Sequence, residues 1–551
     1  MTYGLLKPLP PEPEKQRSAK RPRVLVQAAT EDAQVSDWGS LLGDLARPSL
    51  ELAGREVAWR VHDKTHLEFA IDYPFADAEV SYTWEAFFFV PESFRLDEKT
   101  YDKKEMYDDL LSYVRLAVPQ VPFSELAERE AREGAAAPIL VELEASIVAA
   151  EGHGDGSTPS RTAIRRARTF ASLVRANGLE AQRVMLAEAL ASTDANAATP
   201  RVAAFVRSAT RVAKAYREVL AKSEGLGLPV ELRVALQWVD EDLSLVLEAL
   251  TASASVRLQE QAPNDPAYAD LARRLAGDAV NEARYREQKK YNSVGSGGAT
   301  ARDVEHIEFR RHMLKRFTSS VLWLKYEVVD GNSWVLQALY AFAAAVAMAF
   351  AFIATQRSTE VQRYFYAYVF LVVASYAAKD RIKAYLQASF SKWAEHRFPN
   401  RRWKIRDPER EANLGEVHER AGFKPFAHLP TGVLAARRLT RAHALEEFAR
   451  PETVLWHEKA LVLRKPPGIA SPMLTEIFRL NIGPWLTHTD DPNRTITFAD
   501  PADATVYSAV ARRVYNIAVV YRLRRGKEDA PWRRIRAVVS RKGIERIDPI
   551  V

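Results

Sequence analysis

Between residues 334 and 355 the chain reads WVLQALYAFAAAVAMAFAFIAT, with no charge and with Gln337 as its single strongly polar side chain. At a helical rise of 1.5 Å per residue, about 20 such residues match a hydrocarbon core about 30 Å thick. The pattern therefore predicts a helix that crosses a membrane. A second apolar run, YFYAYVFLVVASYAA over 364–378, is extended backwards by Val361 and Gln362. It predicts a return helix over about 361–378, with Lys379 snorkelling outward. The connection leaves room only for a tight turn, so the two helices are expected to be antiparallel neighbours. Core helices of a large soluble bundle are also apolar all round. The length of the first run, and Tyr364, Tyr366 and Tyr368 at one end of the second, favour the bilayer.

Elsewhere two other periods take over. Alternation by two marks strands at 56–61, 65–71 and 80–90, the last with Val80, Tyr82, Trp84, Ala86 and Phe88 in phase, and 23–27 reads as another. A helix over 103–118 is expected to follow. Between 125 and 326 the spacing becomes helical: Val202, Val206, Ala209, Ala213, Tyr216 and Leu220 fall on one face, as do Leu232, Leu236, Val239, Leu243, Val246 and Leu250. Such stripes predict helices packed as a bundle or antiparallel coiled coil. Past the apolar runs, alternation returns at 453–463, 495–498, 513–524, 533–540 and 544–547.

These elements predict a multidomain α+β membrane protein. A basic, proline-rich tail over 1–22 precedes a small N-terminal α+β domain over 23–126 and a central helical bundle over 127–330. A two-helix transmembrane hairpin over 334–378 follows, then a basic juxtamembrane segment over 379–425 and a C-terminal mixed domain with an antiparallel sheet over 426–551.

Charge refines this picture at the hairpin. Arg310, Arg311, Lys315, Arg316 and Lys325 precede it, and Lys379, Arg381, Lys383, Lys392, Arg397, Arg401, Arg402, Lys404 and Arg406 follow, whereas the turn holds Arg357 and Arg363. By the positive-inside rule the domains on both sides, and both termini, are expected in the cytoplasm of a plasma or bacterial inner membrane. Lys379, Arg381, Lys383, Trp393, Arg401, Arg402 and Trp403 read as an interfacial segment for anionic lipid. Ala341, Ala345 and Ala349 form a stripe of small residues that permits close helix packing, within the hairpin or between copies. Their expected partners are the bilayer, other proteins or a second copy of the chain. The net charge of +7 over 551 residues suits lipid better than nucleic acid.

The chain has no cysteine, which removes disulfides, thiolate-bound metals and cysteine nucleophiles. Other candidate chemistry has a simpler structural reading. The loop 294–300, VGSGGAT, resembles a phosphate cradle but lacks a Walker lysine and follows no strand. His306 and His312 are six apart on one helix beside Glu305 and Glu308, a spacing that turns them to different faces. His457-Glu458 lacks a second histidine, His488, Asp490 and Asp491 sit in turn-forming sequence, and His153 and Asp155 lie between glycines. Arg512, Arg513, Arg522, Arg524, Arg525, Arg533, Arg534 and Arg536 read as the wet face of strands rather than an anion patch. No cofactor or metal is expected. The functional expectation is a two-pass membrane anchor carrying cytoplasmic scaffold, sensor or regulatory domains. Alternatives are an enzyme at the membrane face, with a His/Asp/Glu site assembled from distant segments, or a component of an oligomeric channel.

Overall fold

A computed structural model describes residues 57–550 except 76–77, 131–136, 192–194, 262–264, 292–299, 330–332, 359–362, 409, 442, 444, 447–451, 466–472 and 502–504. The expected tail, the strand at 23–27, the loop 294–299 and the turn residues 359–362 lie outside the described residues.

The chain is a multidomain α+β fold of helices and antiparallel sheets. One sheet has four strands in the order β1 (Val57–Val61), β2 (His66–Pro74), β9 (Met473–Asn481), β4 (Leu110–Leu116). The other has eight, running β14 (Gly543–Pro549), β13 (Arg533–Ser540), β12 (Tyr515–Arg525), β3 (Glu79–Pro91), β8 (Glu452–Arg464), β7 (Ala412–Phe423), β6 (Arg401–Asp407), β5 (Lys325–Val328). A two-stranded ribbon pairs β10 (Asn493–Asp500) with β11 (Thr505–Arg512). The two large sheets pack face to face because the apolar phase of each strand points to the space between them. Phe69 of β2, for example, meets Trp84 of β3 at 5.8 Å and Tyr521 of β12 at 6.0 Å between ring centroids. The opposite face of β3 is apolar as well: Phe87 and Phe89 pack with Val433 and Ala436 of the helix Thr431–Leu439.

This arrangement departs from the separate N- and C-terminal domains read from the sequence. β3 lies between β8 and β12, and β9 lies between β2 and β4, so both sheets interleave strands from the two ends of the chain. Period-two patterning identifies a strand's faces without identifying its neighbour, which is why the partition differs. The expected helix 103–118 also divides. Asp102 and Glu105 form a capping box that starts α1 (Lys103–Asp108), and the chain then extends as β4, where Leu110–Leu116 pairs with β9. Tertiary pairing outweighs the helical spacing there.

Between the sheet strands runs the helical region: α2 (Ile139–Ala149), α3 (Thr158–Ala191), α4 (Ala195–Ser223), α5 (Val230–Gln261), α6 (Pro266–Gln288) and α7 (Ala301–Ser319). The stripes expected on α4 and α5 are buried, apart from the half-buried Val206. At the middle of α5 stand three consecutive acids whose side chains point about 100° apart, so each meets a different neighbour. Asp240 accepts from the hydroxyls of Tyr285 at 2.7 Å and Tyr291 at 3.1 Å and pairs with Arg217 of α4 at 3.4 Å. Glu241 accepts from Arg310 of α7 at 3.0 Å. Asp242 pairs with the buried Arg175 of α3 and accepts from Thr318 of α7 at 3.0 Å. One sequence triplet thus fastens four surrounding helices to the central one.

Asp242→Ala leaves the Arg175 guanidinium buried with its carboxylate partner removed, and is expected to lower stability by about 3–5 kcal/mol. Glu241→Ala, whose partner Arg310 is about one third exposed, is expected to cost about 1 kcal/mol. Chemical denaturation of the two variants measures the difference.

Candidate functional site

Along β8 the residues facing the other sheet are Leu455, His457, Lys459, Leu461 and Leu463, all buried. Two polar side chains thus occupy an otherwise aliphatic phase. Lys459 bridges the sheets: its ammonium pairs with Glu419 of β7 at 2.6 Å and with Glu476 of β9, and donates to Ser112 of β4 at 3.1 Å. The hydroxyls of Tyr73 and Tyr326 donate to Glu476 at 3.0 and 2.8 Å, and the indole of Trp403 donates to Glu419 at 3.2 Å. Burial pulls the Lys459 ammonium toward a lower pKa, and the two carboxylates more than reverse that pull. Burial raises the Tyr73 and Tyr326 phenols well above their ordinary range, reinforced by Glu476. Both therefore stay protonated as donors. All three donors of the ammonium are committed to protein atoms, so Lys459 is a structural tie rather than a nucleophile.

His457 is different. Its ring stacks on Phe478 with centroids 5.2 Å apart, and among the described residues neither ring nitrogen has a hydrogen-bond partner. Desolvation pushes its pKa down to about 4, against a weaker opposing pull from Glu419, so the imidazole is neutral at pH 7.

β5 and β6 carry this junction to the helix pair, α8 (Ser333–Ser358) and α9 (Phe365–Arg397). The strand that enters α8 pairs antiparallel with the strand that leaves α9, with Tyr326 opposite Ile405 and Val328 opposite Trp403. Both helices therefore rise from one edge of the eight-stranded sheet. Near their bases the hydroxyls of Tyr340 and Ser391 share a hydrogen bond of 2.6 Å, and the rings of Phe342 and Phe390 lie 6.2 Å apart. The segment Val335–Ser358 is long and apolar enough to cross a membrane, and little of it is buried against the rest of the chain.

This pinning sets the level of every residue on α9. Twelve residues up α9 from Ser391 stands Lys379, and twelve residues up α8 from Tyr340 stands Phe352. Lys379, Asp380, Arg381 and Lys383 consequently lie alongside Met348–Phe352, and the apolar run of α9 extends past the end of α8. Taken from their midpoints, the two apolar runs are staggered by roughly 20 Å at the helical rise.

The expected surface residues separate into two groups. Lys379 lies over the Tyr376 ring at 3.6 Å, and Arg381, Lys383 and Trp393 are exposed on α9. Arg401, Arg402 and Trp403 belong to β6, where Arg401 covers the Tyr107 ring at 4.1 Å and Arg402 donates to His418 at 3.3 Å. The segment after Lys379, which the sequence reads as one interfacial segment, is thus the second half of α9 followed by a strand. Ala341, Ala345 and Ala349 are exposed, and the alanines of α8 that are buried are Ala343 and Ala347.

Among the described residues no group of His, Asp and Glu is placed to hold a metal ion. His306, His312, Glu305 and Glu308 are all exposed on α7. Asp490 pairs with Arg513 at 2.5 Å and Asp491 with Arg541 at 3.1 Å, while His488 is exposed. Asp155 accepts from the backbone of Glu231, and His153 meets the Glu151 carbonyl at 3.1 Å. Of the C-terminal arginines, Arg522 and Arg524 pair with Glu85, Arg536 with Asp548 and Arg512 with Glu545. An open cleft of about 540 Å³ lies between α3 and α4, lined by Phe123, Val184, Met185 and Phe205, with Glu188 and Arg201 paired at 3.1 Å. The chain matches no described protein family, no curated protein and no solved structure.

The junction makes two predictions. Lys459→Met strands two buried carboxylates and is expected to cost about 3–5 kcal/mol, a loss recovered in part when Glu419→Gln and Glu476→Gln are added. Thermal melts of the single and triple variants measure this. For His457, the folded chain keeps the ring neutral down to about pH 4, whereas the unfolded chain takes up a proton near pH 6.5. Stability contributed by this group therefore falls as pH drops from above 6.5 toward 4, by on the order of 2 kcal/mol between pH 7 and 5. His457→Phe is expected to flatten that part of the stability–pH curve, as read by denaturant midpoints across the range.

Proposed function

We propose that the chain is a two-pass membrane anchor whose body, on the cytoplasmic side, is a scaffold, sensor or regulatory interaction protein. The pairing of β5 with β6 carries the reading. A chain that leaves the sheet edge through α8 and returns to the neighbouring strand makes an even number of crossings, so if α8 crosses, α9 is the return leg. The basic residues around the helix bases support a cytoplasmic side for the body by the positive-inside rule. Lysine chemistry is not needed to explain the junction, whose polar groups satisfy one another and tie the anchor's strands to both sheets. A body built of packed sheets and helices around a closed ionic core suits an interaction role.

Because the chain has no cysteine, single cysteines report topology without background. Tyr366→Cys is expected to react with an impermeant maleimide on intact cells, while Ser157→Cys and Lys527→Cys react only after lysis. Labelling of Ser157→Cys on intact cells would overturn the sidedness, and release of the protein by alkaline carbonate would overturn the anchor itself.

A further inference from the structure

The stagger of the two helices has a consequence for how the anchor exists in a bilayer. α8 is apolar on every side, so any face of it tolerates lipid. α9 at the same level is not. Asp380, Arg381 and Lys383 are exposed on the surface of α9, level with Met348–Phe352 and so roughly 9–15 Å short of the Ser358 end of the span. Lysine and arginine stems can snorkel part of that distance, whereas the short side chain of Asp380 cannot. A bilayer that accepts α8 therefore confronts α9 with a charged face that lipid does not accommodate.

We propose that this face is covered by a second copy of the chain, with the α9 helices of neighbouring copies turned to one another and the α8 helices turned to lipid. The inference rests on the membrane-anchor reading. Two observations select a second copy as the occupant. First, the face carries both signs of charge. In copies inserted in parallel at one depth, Asp380 of one α9 comes level with Arg381 and Lys383 of the next, so the face is complementary to itself. Second, the centre of the face is small. Asp380, Ala384 and Ala388 fall four residues apart along one exposed stripe, which lets two helix backbones approach closely enough for short side chains to pair. The sequence-derived stripe on α8 is not this interface, since Ala341, Ala345 and Ala349 sit on the helix that faces lipid.

The test uses the full-length protein in native membranes. Single-cysteine variants Ala384→Cys and Ala388→Cys, oxidised with copper phenanthroline, are expected to form a disulfide-linked species at twice the 62.0 kDa monomer mass. Phe352→Cys, exposed at the same level of α8, is expected to remain monomeric. Asp380→Lys on the Ala384→Cys background removes the complementary charge and is expected to abolish most of the cross-linking. Adding Arg381→Asp restores an acid to the face and is expected to recover it. Cross-linking at Phe352→Cys in place of Ala384→Cys and Ala388→Cys would overturn the orientation. Carbonate-resistant protein that stays monomeric at both alanine positions would overturn self-association while leaving the anchor intact, and carbonate-extractable protein would overturn both.

Discussion

Two carboxylates and one ammonium share the dry space between the sheets, and the rest of the architecture is arranged around them. A lone ion at that depth is strongly disfavoured, so Lys459 is tolerable only with Glu419 and Glu476 against it, and they only with it. The condition is geometric. A slip of one residue in β8 turns Lys459 to the opposite face and leaves both acids bare, so the apolar register and the ionic register enforce the same alignment. Tyr326 and Trp403 extend the condition to β5 and β6, the two strands from which the apolar helices depart. The position of the helix pair is thereby referred to the core.

The helix pair inherits its register from that base. With β5 and β6 paired and Tyr340 bonded to Ser391, neither helix slides freely against the other, and the charged half of α9 is held beside the apolar middle of α8. Hydropathy read along one helix at a time treats Lys379 as the end of a span. Read across the pair, the same residue stands beside Phe352, and its neighbours become a question of packing rather than of topology.

Local patterning made much of this legible. The alternation of β3, β8, β12 and β13 and the stripes of α4 and α5 lie close to where periodicity places them, because each has one face against a core. Pairing between strands hundreds of residues apart leaves no local trace, so the interleaving of the chain's two ends was invisible. The junction lay between these extremes. Lys459 and His457 stand in phase with Leu455, Leu461 and Leu463, and a charge in the apolar phase of a strand is a detectable sign of a buried ion pair. Glu476 gives a fainter one, within a β9 that is buried on both faces, and nothing in the sequence links it to Glu419 or Tyr326.

The interleaved sheets also order events during synthesis. Glu85 of β3 receives Arg522 of β12 across 437 positions of sequence, and β2 meets β9 across about 400. When α8 and α9 leave the ribosome, β2 and β3 have already been made, while their neighbours β8, β9 and β12 have not. Their edges stay open until the last quarter of the chain arrives, by which time both apolar helices have already been made. Closure of the two sheets is then a step performed after the helix pair has emerged, and a chain cut short before β8 retains its apolar helices but has neither sheet complete.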